Sequence, residues 1–150
     1  EGPELAITAM GTGVEPGRDG GNREQAVTGE GLTQAIRAAL AVRGIPFYDF
    51  PALIGDLNGE HFKFKEQMMA QMRLDRAPPE GRSRRPRGYT EHWSLIEYAG
   101  EIGAALMPAQ LAWAFEMGRA GLLPQNRALC FAGEDDGRRV ALTAEMRGLP

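Results

Sequence analysis

Apolar positions along the chain alternate between strand-like runs and helical spacing. Leu5-Ala6-Ile7-Thr8-Ala9-Met10 predicts a first strand, and the Gly-, Asp- and Glu-rich stretch from Gly11 to Glu24 predicts a loop. Thr28 then caps a predicted helix whose Leu32, Ala35, Ile36, Ala39 and Leu40 share one face, with Gly44 and Pro46 as its stop. Phe50 to Leu57 reads as a second strand. Glu60 to Leu74 returns to helical spacing, with Phe64, Met68 and Met72 recurring every four positions. Thr90 to Ile96 predicts a short third strand.

The segment from Gly103 to Arg119 (GAALMPAQLAWAFEMGR) carries a different signal. Pro108 is tolerated only in a first helical turn, so the helix proper starts near Leu106 or Met107, and Gly121 closes it before Pro124. Leu106, Leu111, Trp113, Phe115 and Met117 spread apolar surface around it, and only Gln110 and Glu116 interrupt them. Such a helix is expected to be buried on nearly all sides, more than a two-layer sheet can provide. Arg127 to Ala132 and Arg138 to Ala144 follow as two strands joined by Gly133-Glu134-Asp135-Asp136-Gly137, a hairpin with Asp-Gly in its turn. The order βαβαβαββ predicts an α/β fold: a five-stranded mixed sheet, mainly parallel, with helices on both faces and the closing hairpin adding an antiparallel strand at an edge or end.

At 150 residues, with 43% hydrophobic and 25% charged residues, the chain is long enough for a single domain spanning residues 1–150 with its own core. A net charge of -3 supplies no global attraction for nucleic acid or an anionic membrane, and no apolar run reaches the roughly 20 residues of a membrane span. The opening Glu1-Gly2-Pro3, without an initiator Met or signal-like segment, reads as a piece cut from something longer. One cysteine, Cys130, and two histidines, His61 and His92, build neither an internal disulfide nor a structural zinc site, so no cofactor or metal is expected and a reducing cytoplasm is the default.

Gly11-Thr12-Gly13 invites a phosphate-loop reading, but the Gly-Lys-Ser/Thr continuation is absent, and an ordinary connection is preferred. Arg76 to Arg87 holds three prolines and five arginines. The segment 76–89 is read as a flexible basic loop, with phosphate binding the less favoured alternative to a solvated surface. Cys130 lies inside a strand, where a thiol acts as a small hydrophobe rather than a nucleophile. His61 is expected on a solvated first helical turn, His92 in a structural place, and Met68, Met69 and Met72 in the core or against a further domain.

Four features carry a resemblance: the element order, the Ala38-Ala39-Leu40 end of the first helix followed by Gly44 before the second strand, Gly100-Glu101-Ile102-Gly103-Ala104-Ala105 opening the apolar helix, and the closing hairpin. Over residues 5 to 145 the chain resembles the C-terminal half of a thiolase-like protein of the β-ketoacyl synthase branch, in which two halves pack their sheets around a layer of buried helices. The resemblance implies a missing N-terminal half as partner, a homo- or heterodimer, and an acyl carrier protein or coenzyme A thioester as ligand. It places Asp56, in the turn Asp56-Leu57-Asn58-Gly59-Glu60, where the family has a catalytic histidine, with Asn58 in the same turn. Glu101 falls in the place of the second histidine, with one residue fewer before Gly-Ala-Ala. The family's lysine falls near Ile96, its Phe-Gly loop is replaced by residues 133–137, and its nucleophilic cysteine belongs to the absent half.

Decarboxylative condensation needs neutral donors toward a developing oxyanion, and a carboxylate there repels it unless it is protonated. Two adjacent carboxyls sharing one proton could still serve as a general acid. Three readings follow: a catalytically degenerate synthase-like subunit with a structural, carrier-binding or partner-binding role; an acyltransferase, condensing or hydrolytic enzyme using Asp56 and Glu101; or an unrelated α/β binding domain. The first is preferred.

Overall fold

The computed structural model describes residues 2–17 and 24–149. Five strands form one sheet: β1 (Glu4–Val14), β2 (Ala52–Gly55), β3 (Glu91–Ser94), β4 (Arg127–Gly133) and β5 (Arg138–Arg147). The helices are α1 (Glu30–Ala41), α2 (His61–Arg76), the single turn α3 (Ile96–Ala99) and α4 (Leu106–Arg119). The α/β class, the mixed five-stranded sheet and the helices on both faces agree with the sequence reading.

The strand order is β1-β5-β4-β2-β3, with β2 parallel to both β3 and β4 and β5 antiparallel to its two neighbours. The closing strand is therefore internal and not at an edge. β1 runs four residues beyond its predicted end and pairs with β5 from Glu4↔Arg147 to Val14↔Arg138, and this long partner takes the outer position.

Gly11-Thr12-Gly13 thus lies within a strand, which removes the phosphate-loop reading and the first part of the expected loop; residues 18–23 of that loop lie outside the described residues. The glycines serve packing. A Cβ on Gly11 would stand 2.0 Å from the Ala35 carbonyl oxygen, and one on Gly13 would stand 2.0 Å from that of Gly31. Their bare backbone lets α1 lie directly on β1.

α1 starts one residue later than Thr28 implies, with Gly29 at its N-cap at φ 71°. The cap is supplied from a distance by Glu15, which is fully buried. Its Oε1 accepts from Thr28 N at 2.7 Å, Thr28 Oγ1 at 2.9 Å and Gly17 N at 3.2 Å, and its Oε2 accepts from Gly31 N at 3.2 Å. Burial raises the Glu15 pKa, but the hydrogen bonds from Thr28, Gly31 and Gly17 outweigh it and hold the carboxyl below its ordinary 4.5.

One face of the sheet is sealed by α1 and α2 over a core that includes Leu32, Ile36, Leu53, Leu74, Leu129 and Phe131. α2 presents Glu66, Ala70 and Leu74 inward. Phe64, Met68 and Met72 face solvent at 55%, 39% and 47% exposure, so Met68 and Met72 lie outside this chain's core. The small Ala70 brings α2 close to α1, and Glu66 has a buried partner described below.

α4 covers the opposite face, burying Leu106, Gln110, Ala114 and Gly118 against Ala52, Ile54, Ala128, Cys130, Leu142 and Met146. Burial is confined to this stripe, because this chain brings one sheet to the helix; Met107, Leu111, Trp113, Phe115 and Met117 remain partly exposed. Gly11 and Gly13 point at α1, so by alternation Met10, Thr12 and Val14 point to the α4 side. Met10 and Val14 are each 62% exposed, which leaves the β1 end of this face uncovered.

Two substitutions check this packing. Gly11→Ala should cost about 1–3 kcal/mol through overpacking, read by urea unfolding; an unchanged midpoint would show that α1 does not sit on β1. Glu15→Gln should cost about 1–3 kcal/mol near neutral pH. A carboxyl with a depressed native pKa stabilises above its unfolded pKa and loses that contribution as pH falls through the native one, so the gap to wild type should close below about pH 4.3.

Candidate functional site

In this sheet the chain leaves β2 outward to β3 and returns on the other side of β2 through β4. The crevice beyond the carboxyl ends of strands at such a reversal is where open α/β sheets bind ligands. β2 and β4 pair only through Leu53↔Leu129 and Ile54↔Cys130, and then separate. Gln110 of α4, fully buried, spans the gap: its Nε2 donates to Gly55 O at 3.0 Å and Phe131 O at 3.2 Å. Above it opens a cleft of about 1070 Å³ whose lining includes Asn58, Lys63, Glu101, Leu106, Gly133 and Arg138.

Asp56 follows β2 directly and is 9% exposed. Its Oδ2 accepts from Lys63 Nζ at 2.8 Å and from Gly133 N at 2.9 Å. The carboxylate therefore ties the end of β2 to the first turn of α2 and to the end of β4. One turn beyond Lys63, Glu66 makes a two-pronged pair with Arg139 of β5, Nε to Oε1 at 2.6 Å and Nη2 to Oε2 at 3.2 Å. Arg139 Nη1 also donates to Glu134 O at 2.9 Å and Arg138 O at 3.0 Å, which pins the hairpin turn. Gly133 is required there, since a Cβ would stand 2.7 Å from Arg139 Cδ. Burial pushes the Glu66 pKa up, and the hydrogen bond and charge of Arg139 only partly oppose it.

Asn58 and Glu101 meet across 43 residues of chain. Asn58 Nδ2 donates to Glu101 Oε1 at 2.7 Å and to Glu60 Oε2 at 2.6 Å, while its Oδ1 accepts from Glu60 N at 3.0 Å. Gly59, at φ 88°, allows this turn. The structure thus brings Asn58 to Glu101 and joins Glu60 to them, while the Asp56 carboxylate has its partners in Lys63 and Gly133. What faces this part of the cleft is a primary amide with both donors engaged and two carboxylates. Such a group can accept hydrogen bonds or attract a cation, and it is unsuited to an oxyanion.

Cys130 and His61 lie where the sequence reading put them, in a strand and on a first helical turn. Cys130 is fully buried in β4, and burial pushes its thiol up to about 12. His61 is exposed at the first residue of α2. His92 lies on β3 with Nδ1 3.3 Å from Gln67 Nε2, and burial, then the Arg87 charge, lower its pKa. In the basic segment Arg85 pairs with Asp49 and lies over Tyr48, and Arg87 pairs with Asp75 at 2.6 Å and lies over Phe47. Among the described residues no group of three or more His, Cys, Asp or Glu side chains is placed to hold a metal ion. None of the described helices is long and apolar enough to cross a membrane.

Lys63, Glu66 and Arg139 are the site residues that sequence reasoning missed. One available signal was Ala70, the small residue one turn after Glu66, which marks the close-packed face of α2 and puts Glu66 inside.

No protein-family description matches the sequence, and no curated protein matches it. Among solved structures, 3-oxoacyl-[acyl-carrier-protein] synthase III from Aquifex aeolicus VF5 matches with a TM-score of 0.60 and 11% identity, over 95% of this chain and 54% of that one. The chain has a thiolase-like fold and spans about half the length of that protein.

The buried pair gives a test of how the site is held. Glu66→Ala should cost about 3–5 kcal/mol because the buried Arg139 guanidinium loses the carboxylate that balances its charge. Glu66→Met combined with Arg139→Met should recover most of that loss. Chemical denaturation of the single and double variants checks it, and a double variant no better than the single would refute the pairing.

Proposed function

We propose that the chain is the C-terminal half of a β-ketoacyl synthase-like unit whose catalytic site is degenerate, and that it serves as a structural, carrier-binding or partner-binding subunit. The observation that carries this reading is the fate of Asp56. Its Oδ2 is held by Lys63 and the Gly133 amide, so the group at the histidine place ties three elements together.

Glu101 supports the same reading. It accepts from Asn58 beside Glu60, and presents negative charge where the family's chemistry calls for a neutral donor. The catalytic alternative requires Asp56 and Glu101 to share a proton or one substrate, and their separate hydrogen-bond partners give it no support. The uncovered apolar face supports a partner half: Met10 and Val14 of β1 stand exposed beside the partly exposed Met107, Leu111 and Phe115 of α4. A second layer laid on this face would bury all five, and contiguous apolar surface of this kind marks an interaction site.

The full-length protein, incubated with acetyl- and malonyl-coenzyme A, should remain unmodified by mass spectrometry and release no carbon dioxide above the uncatalysed background. A covalent acyl adduct or decarboxylation that disappears in Asp56→Ala or Glu101→Ala would overturn the degenerate reading.

A further inference from the structure

At the amino ends of β2, β3 and β4, the pole opposite the cleft, three guanidinium groups lie over aromatic rings of one short stretch. The stretch is the turn Phe47–Asp49 with Phe50 after it. Arg85 Cζ stands 4.7 Å from the Tyr48 ring centre, and Arg87 Cζ 4.2 Å from that of Phe47. Each also meets an acid: Arg85 pairs with Asp49, and Arg87 forks onto Asp75, Nη2 to Oδ1 at 2.6 Å and Nε to Oδ2 at 3.1 Å. Tyr48 Oη donates to Ser83 O at 2.7 Å. Arg127 of β4 lies 5.5 Å from the Phe50 ring centre and donates from Nη2 to Asp49 O at 3.0 Å.

The segment Ser83-Arg84-Arg85-Pro86-Arg87 therefore lies on this turn as a bound peptide lies on its receptor. Pro86 favours extended backbone at Arg85, and in extended chain residues two apart point the same way, so both forks face the turn and Pro86 stands exposed. No main-chain group from Ser83 to Tyr89 bonds to other main chain among the described residues, so side-chain contacts hold the segment down. The connection it belongs to, residues 77–90, has no helix or strand, and connections of this length in compact domains are commonly functional. The receptor side is built without it. Phe47 and Phe50 belong to the core with Leu53 and Leu129, and Arg127 holds the turn from β4. Lifting the segment uncovers a formed surface: the Phe47 and Tyr48 rings with the Asp49 and Asp75 carboxylates beside them.

We propose that this surface is a recognition site for an extended Arg-Pro-Arg segment of another protein, closed in the free chain by residues 83–87. Aromatic rings with acids at their edges favour arginine over lysine, whose ammonium neither stacks flat nor forks. Proline between the arginines keeps such a partner extended before it binds, which lowers the cost of ordering it. The tethered segment competes at high effective concentration, so the partner's apparent affinity rises when the tethered forks are removed. The surface lies away from the cleft, and the inference does not depend on how the cleft is read.

The test uses the purified chain, isotope-labelled, and a synthetic peptide copying residues 81–88, with a matched peptide that carries lysine at the places of Arg85 and Arg87. The double variant Arg85→Ala with Arg87→Ala should bind the arginine peptide about tenfold or more tightly than wild type does, with shifts in the amide resonances of residues 47–50. The lysine peptide should bind this variant about tenfold or more weakly than the arginine peptide. Adding Asp75→Asn should lower the affinity for the arginine peptide about tenfold. Circular dichroism confirms the fold. Arg85→Ala alone, whose side chain is 60% exposed in wild type, should give a smaller gain of the same sign and carries the test if the double variant does not fold. Equal affinity of variant and wild type, or of the two peptides for the variant, overturns the proposal. So does a concentration-dependent dimer of wild type that the double variant abolishes, which would assign the surface to exchange of residues 83–87 between copies of this chain.

Discussion

The parting of β2 and β4 beyond their two paired residues is the constraint around which the rest of the molecule is arranged. Where parallel strands separate, carbonyls and amides at their ends lose ladder partners and must find others. Gln110 answers this from below by donating to Gly55 O and Phe131 O, and Asp56 answers it from above by accepting Gly133 N. The first bond requires α4 to lie across the gap, which places a polar side chain in an otherwise apolar stripe. The second requires a carboxylate at the end of β2, which brings Lys63 from α2 to balance its charge.

From these two ties the cleft acquires its walls. Lys63 sets the first turn of α2, one turn later Glu66 meets Arg139, and Arg139 holds the carbonyls of the hairpin turn. Ser94 adds β3 by donating to Leu57 O at 2.6 Å. Separate polar ties thus join β3 to the β2 turn, the β2 turn to α2 and β4, and α2 to β5. The site turns Asp56 inward to the fold and lines the Asn58 side with Glu60 and Glu101.

Much of the fold was legible because periodicity reports which residues leave water. The α1 face, the Pro108 limit on α4 and the Asp-Gly hairpin each fix local structure through a few neighbouring residues. Legibility failed where the cause is non-local. Gly11 and Gly13 carry loop signals, and only the approach of α1 reveals them as packing residues. Phe64, Met68 and Met72 outrank Glu66 in hydrophobicity, and the choice between two faces of α2 was decided by Arg139, 73 residues away. The internal position of β5 depended on the length of β1, which those same glycines concealed. In the site, the turn after β2 and Glu101 were named from the resemblance, and the bond between Asn58 and Glu101 was not foreseen; the roles of Lys63 and Arg139 became visible only when β5 and α2 were set side by side.

Asp56 distinguishes a structural tie from a catalytic group, because the two respond oppositely to removal. Catalytic residues are commonly held at a cost in stability, so truncating one is neutral or stabilising. A carboxylate that accepts from a mostly buried lysine and a strand-end amide takes both of those bonds away when it is removed. The decisive measurement is the urea unfolding free energy of Asp56→Ala near neutral pH. The account predicts a loss of about 2–5 kcal/mol, combining the loss of the Lys63–Asp56 ion pair with an orphaned Gly133 N–H; an Asp56→Ala protein as stable as wild type, or more so, would contradict it.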